Sequence, residues 1–329
     1  MMRMSWVVVL LACCSVPAAP AAQSQSQPQA YPTRPVRVIA AQSAGSSLDT
    51  IARIVTPKLS EVLGQQVVID NRGGAGGTIG IELAARAAPD GYTALVGASS
   101  SLIVSRFTYR SLPFDALKDF AAVSNLVNAD AVLVVHPSVA AKNLKDLVAL
   151  AKAQPGKLNM SSAGVGSSSH LAGTMFNTLA GINTVHVPYK GGGPMAAAVV
   201  GGEAQWCIAP AAALVGHIKS GRVRALAISS KQRSLLLPDI PTVDEAGVPG
   251  YEYTSWNGVF VPRATPRAAI DKLHASIQKA LADPDVVKAY AAQGMTPAGS
   301  ESAQAFERFF RGDFERITKL VQVAGIKPE

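Results

Sequence analysis

The sequence predicts an α/β protein built on mainly parallel, helix-covered sheets. Three observations lead there. Short apolar runs alternate with segments of helical periodicity along most of the chain. Several of those runs pass into the following helix through loops of Ser and Gly. The chain's 329 residues, 48% hydrophobic and 16% charged, suffice for a large core shared by domains of about 100–200 residues each.

Taken in order, residues 1–22 read as a signal peptide. Arg3 supplies a basic start, residues 6–12 an apolar stretch, and Ala19-Pro20-Ala21 small residues at a cleavage site. The apolar stretch is too short to span a bilayer, and no later run reaches about 18 apolar residues. Export as a soluble protein is the expectation, with acylation of Cys13 as the less suitable alternative. Residues 23–30 form a Gln/Ser/Pro spacer expected to be disordered. Beyond the leader Cys207 is the single cysteine, so no internal disulfide is expected, and its apolar surroundings read as packing.

Strands are predicted at 36–41, 67–70, 94–98, 131–136, 158–161, 185–189, 204–209, 223–229 and 259–261. Leu48, Ile51, Ala52, Val55, Leu59 and Val62 share one helical face between the first two. Pro57 predicts a kink or break there, and Gly64 a stop. Further helices are predicted at 79–88, 144–153, 170–180 and 194–200. Two more, near the C-terminus, are marked by Ile270, Leu273, Ile277 and Leu281 and by Phe306, Phe310, Ile317 and Val321. The loop at 128–130 and the turn at 247–251 are candidate crossings between two lobes.

Candidate chemistry lies in the loops. Ser43, Gly45, Ser46, Ser47 and Asp49 join a strand to a helix N-terminus, where free N–H groups and the helix dipole favour an anion. Asp49 suits support of that loop better than ligand contact. Ser99, Ser100 and Ser101 follow a strand at the end where open α/β sheets bind ligands, or they merely solvate a loop. Gly166, Ser167, Ser168, Ser169 and His170 repeat the first loop's chemistry in the second half of the chain. Tyr189, Lys190 and Gly191 leave another strand, with Pro194 suited to the first turn of the helix that follows. Gly74, Gly76 and Gly80 follow a strand but lack the G-x-G-x-x-G spacing of a dinucleotide site, and close backbone approach explains them more simply. No G-x-S-x-G elbow and no metal-ligand His spacing is present. The net charge of +8 is scattered among acidic residues, which argues against nucleic acid as a partner.

In this order the segments resemble the extracytoplasmic substrate-binding proteins of tripartite tricarboxylate transporters, the Bug-type receptors. The blocks that carry the resemblance include Tyr31-Pro32-Thr33-Arg34-Pro35, Asp70-Asn71-Arg72-Gly73-Gly74-Ala75-Gly76-Gly77 and Pro89-Asp90-Gly91-Tyr92. They continue through Val187-Pro188-Tyr189-Lys190-Gly191, Leu237-Pro238-Asp239-Ile240-Pro241-Thr242 and Trp256-Asn257-Gly258. The resemblance implies a two-lobed periplasmic binding protein of type II-like architecture, each lobe a mainly parallel sheet flanked by helices, with a cleft between them. The implied lobes are 31–130 plus 250–329, and 131–249. It also implies a receptor that captures a small carboxylated anion and delivers it to membrane permease subunits, or presents it to a sensor protein. A monomer without cofactor, metal or catalysis is expected, and the four loops above would face the ligand. An exported serine-dependent α/β hydrolase is the alternative. The chain departs from the family pattern at Ala44-Gly45-Ser46, where Pro-Gly-Gly is usual, and there Ser46 adds a hydroxyl that bears on ligand choice. Thr174-Met175-Phe176 replaces Glu-Leu-Phe, and the segment after Pro194 lacks an Asp-Leu pair; both bear more on packing or docking.

Overall fold

A computed structural model describes residues 31–234, 236–323 and 325. The leader, the spacer and Cys13 lie outside the described residues. Tyr31–Glu329 forms one compact unit.

The strands are β1 Val36–Ala40, β2 Val67–Asn71, β3 Thr93–Ala98, β4 Phe120–Ala129, β5 Ala131–Val135, β6 Asn159–Ser162, β7 Val185–Pro188, β8 Trp206–Pro210, β9 Arg224–Ile228, β10 Ser255–Pro262 and β11 Met295–Pro297. The helices are α1 Ser47–Leu63, α2 Thr78–Ala85, α3 Ser105–Thr108, α4 Ala116–Asp119, α5 Leu144–Ala153, α6 Ser168–Ala180, α7 Gly192–Val200, α8 Ala211–Lys219, α9 Arg267–Leu281, α10 Pro284–Ala292 and α11 Ala303–Val323. A π-helical turn, Ser100–Val104, leads into α3.

The strands make two sheets, ordered β11-β4-β10-β3-β1-β2 and β7-β6-β8-β5-β9. Helices flank both, as expected, but each sheet is mixed. In the first, β2-β1-β3 are parallel and β10 runs antiparallel to both its neighbours. In the second, β7-β6-β8 are parallel and β5 is antiparallel to β8 and β9. Two of the antiparallel members, β10 and β5, are strands that the chain delivers by crossing between sheets rather than by a helical return, whereas β11, antiparallel to β4, is reached through α9 and α10. Only Asp130 separates β4 from β5. The chain crosses back at Tyr253, whose N–H bonds the Ser229 carbonyl at 2.8 Å, and Ser255, which pairs with Ala129.

Two predictions about elements need correction. Helix α1 runs unbroken through Pro57 and ends at Gly64 in the left-handed region. Burial of Leu48, Ile51, Ala52, Val55 and Leu59 on one face holds the helix across the bond that Pro57 cannot make. Strand β4 was not predicted at all. It is buried on both faces through most of its length, so it shows no alternation, and its Ala, Ser and Asn are poor strand formers.

Each sheet carries its own aromatic core. In the first, Trp256 meets Phe306, Phe309 and Phe310 with ring centroids 5.6–5.8 Å apart. Its indole N–H donates to Asp313 at 2.7 Å, and Asp313 also pairs with Arg316. In the second, Phe176 packs on Trp206 and on Tyr251, whose hydroxyl bonds the Ala172 carbonyl at 3.1 Å.

Candidate functional site

The loops entering α1 and α6 are built alike. Ser46 and Ser167 are the N-caps, and their hydroxyls accept the N–H groups of Asp49 and His170, each at 3.3 Å. In return the side chain three residues into each loop-helix junction reaches back to a glycine N–H. Asp49 takes that of Gly45 at 2.7 Å, and His170 Nδ1 that of Gly166 at 3.1 Å. Gly45 and Gly166 both have positive φ, 79° and 74°, which their position in these turns requires.

The two junctions differ in charge. The Asp49 carboxylate is bonded by Arg53 at 2.9 Å and by Asn71 at 3.1 Å. The hydrogen bonds from Arg53 and from Gly45 hold it down at about 2. His170 is held down at about 4, by burial first and then by the stacked His186 ring. The two imidazoles lie 3.8 Å apart and 3° from parallel, and His186 Nε2 is 2.6 Å from Ser162 Oγ. The glycine run braces the first junction from behind. A Cβ on Gly73 would come within 2.6 Å of Ser43 Oγ, and one on Gly80 within 2.8 Å of Ala41 Cα, so close approach is the reason for glycine there.

Two chambers open between the sheets. The inner one, of about 260 Å³, is lined by Gln42, Ser47, Ile51, Ala98, Ser100, Ala129, Ala131, Ser168, Ser169, Ala172, residues 208–210, Tyr253, Ser255, Asn257 and residues 293–295. No residue of that wall carries a formal charge. The outer one, of about 690 Å³, is lined by Gly76, Ser100, Ser101, residues 104, 105, 108 and 109, Val165, Gly166, Ser167, Pro188, Tyr189 and Lys190. Ser100 lines both.

Of the residues singled out from sequence, Ser47, Ser100, Ser168 and Ser169 face the inner chamber. Ser101, Gly166, Ser167, Tyr189 and Lys190 face the outer one with Ser100. Ser43, Gly45, Ser46, Asp49, Ser99, His170 and Gly191 line neither. Asp49 and His170 are 3% and 6% exposed and are engaged with their own loops, and the Ser46 hydroxyl is taken by the Asp49 N–H. The N–H groups of Ser47, Ser168 and Ser169 have no acceptor among the described residues. Sequence reasoning passed over Gln42, Tyr253, Ser255 and Asn257. The last three sit at alternate positions of one extended stretch, a pattern that could have found them.

The family model for the tripartite tricarboxylate transporter family receptor matches residues 51–326. The chain belongs to this family. It is 40% identical to a protein of the tcbD-tcbE intergenic region of Pseudomonas sp. (strain P51), over 89% of this chain and 87% of that one. Among solved structures it is similar to Rpa4515 of R. palustris with adipate, at 32% identity and a TM-score of 0.77, covering 91% of this chain and all of that one. It is also similar to the periplasmic binding protein BugD, at 31% identity and a TM-score of 0.72, over 91% of this chain and 100% of that one. Membership makes the chain a solute-binding receptor.

Proposed function

We propose that the protein captures a small organic carboxylate in the inner chamber and hands it to a membrane permease. One observation carries this reading. The N-termini of α1 and α6 meet a chamber that no charged side chain lines, with the N–H groups of Ser47, Ser168 and Ser169 unclaimed. Each helix N-terminus is worth roughly half a positive charge, so the pair can balance one carboxylate without a buried Arg or Lys. The Asp49 charge at the first terminus is offset by Arg53, and neutral His170 leaves the second unopposed. Capture of adipate by the R. palustris relative fits the same chemistry. Export to the periplasm follows the family and the leader-like residues 1–22, and the protein's work is binding without catalysis. The implied lobes, 31–130 with 250–329 and 131–249, follow the division of strands between the two sheets.

Thermal denaturation with a panel of carboxylates and their methyl esters tests the reading. A bound acid at a hundred times its Kd should add about 2.7 kcal/mol, and the ester none. Stabilisation by uncharged solutes alone would overturn it. So would turnover of esters that disappears in Ser168→Ala, which would favour the hydrolase.

A further inference from the structure

We propose that Arg316, which lines neither chamber, is a positioning residue for solute retention: held by Asp313 on α11, it clasps the two sheets together around the inner chamber. This rests on the carboxylate-receptor reading above and assigns a residue to how long the site keeps its solute.

The inner chamber takes its wall from both sheets, with Ala98 and Asn257 from the first and Ala172 and Ile208 from the side of the second. A solute enters or leaves when the two sides part, so contacts that tie one side to the other set the rate of release. Helix α11 packs on β4 of the first sheet and also on α6, whose N-terminus brings Ser168 and Ser169 to the chamber.

Asp313 and Arg316 lie three residues apart on α11, so their side chains meet. One Asp313 oxygen accepts the Trp256 indole N–H at 2.7 Å, and the other accepts two N–H groups of Arg316 at 2.6 and 2.8 Å. The guanidinium is thereby anchored to the aromatic core of the first sheet. Its remaining nitrogen, Nη1, donates to the Glu252 carbonyl at 3.3 Å and lies 4.0 Å from Met175 Sδ on α6. The guanidinium carbon stands over the Tyr253 ring, 5.6 Å from its centroid. These partners are tied to the second sheet. Tyr251 packs on Phe176 and donates its hydroxyl to the Ala172 carbonyl, and the Tyr253 N–H bonds the Ser229 carbonyl. One guanidinium therefore holds both bodies, its charge balanced on one side and its free donor used on the other. The side chain is 37% exposed, which keeps the tie modest in strength and able to open.

Surface plasmon resonance of the mature protein with butanoate, butanedioate and hexanedioate separates capture from release. Arg316→Gln keeps an N–H donor for Asp313 but loses the charge and the reach to Glu252. It should release each bound acid about tenfold faster, with association within about twofold and the order of the acids unchanged. Met175→Glu sets a carboxylate opposite the guanidinium and should slow release about threefold. A misfolded protein cannot give that gain, and it should vanish when Arg316→Gln is added. Unchanged release in Arg316→Gln, or a loss confined to association or to the fraction of protein that binds, overturns the clasp while carboxylate binding stands. So does a Met175→Glu protein whose release is not slowed, or is slowed equally without Arg316. Failure of the wild type to bind any of the three acids overturns the receptor reading and this inference with it.

Discussion

Replacing His170 with Asn separates the titration of this side chain from its hydrogen bond, because the Asn oxygen stands where Nδ1 accepts the Gly166 N–H. The imidazole is held down at about 4, against 6.5 for an ordinary histidine, by burial and by His186. The unfolded chain therefore takes up this proton before the folded one does. Stability is unaffected well above pH 6.5 and falls as the pH drops from there toward 4. Between pH 7 and pH 5 the loss is about 2 kcal/mol, most of the 1.36 kcal/mol per pH unit that one proton allows. For a chain of this size that is about 4 °C in melting temperature. His170→Asn should cost about 1 kcal/mol at pH 8, from lost stacking on His186. Its melting temperature should then fall less than the wild type's on acidification. Paired thermal scans at pH 8, 7, 6 and 5 give both slopes. Parallel curves for the two proteins would refute the argument, as would an NMR titration of His170 near 6.5.

Ser46→Gly, which installs the family's usual residue, should cost only a few tenths of a kcal/mol and leave ligand preference unchanged, because the hydroxyl caps α1 and lines neither chamber. A changed order of affinities across a carboxylate panel would return Ser46 to the ligand. Asp313→Ala leaves the buried Trp256 N–H without its acceptor and the Arg316 guanidinium with only the Glu252 carbonyl in place of a carboxylate, and should lower stability by about 2–3 kcal/mol in urea unfolding. A loss below 0.5 kcal/mol would show that water satisfies both groups.

The fold class was legible because it rests on periodicity. The 144–153 helix matches α5 residue for residue, and the strands at 36–41 and 94–98 were placed to within a residue. Strand β4 escaped because burial on both faces erases alternation, and α8 because its Ala-rich start follows directly on an apolar strand. Strand direction was not legible either. It depends on which segments cross between sheets, which local pattern does not encode. Within the site, the loops that enter α1 and α6 could be read because caps are local chemistry. The roles inside those loops could not. Ser46 and Ser47 are neighbours of one type, yet one hydroxyl closes the helix while the other residue faces the chamber. The β10 part of the wall comes from late in the chain, and only the tertiary fold brings Asn257 to the same chamber as Ser47 and Ser168.

Strand β10 is the keystone of the first sheet. It sits between β3 and β4, although both are made long before it. Those two strands therefore keep raw, unbonded edges until residues 255–262 arrive, and the closure from β3 to β10 spans about half of the chain. Such a long loop makes assembly slow and late rather than progressive. The same strand brings Asn257 and follows directly on Tyr253. A chain that has not finished its first sheet thus lacks one wall of the inner chamber. Under the proposed function, completing the first sheet and completing the binding chamber are one step.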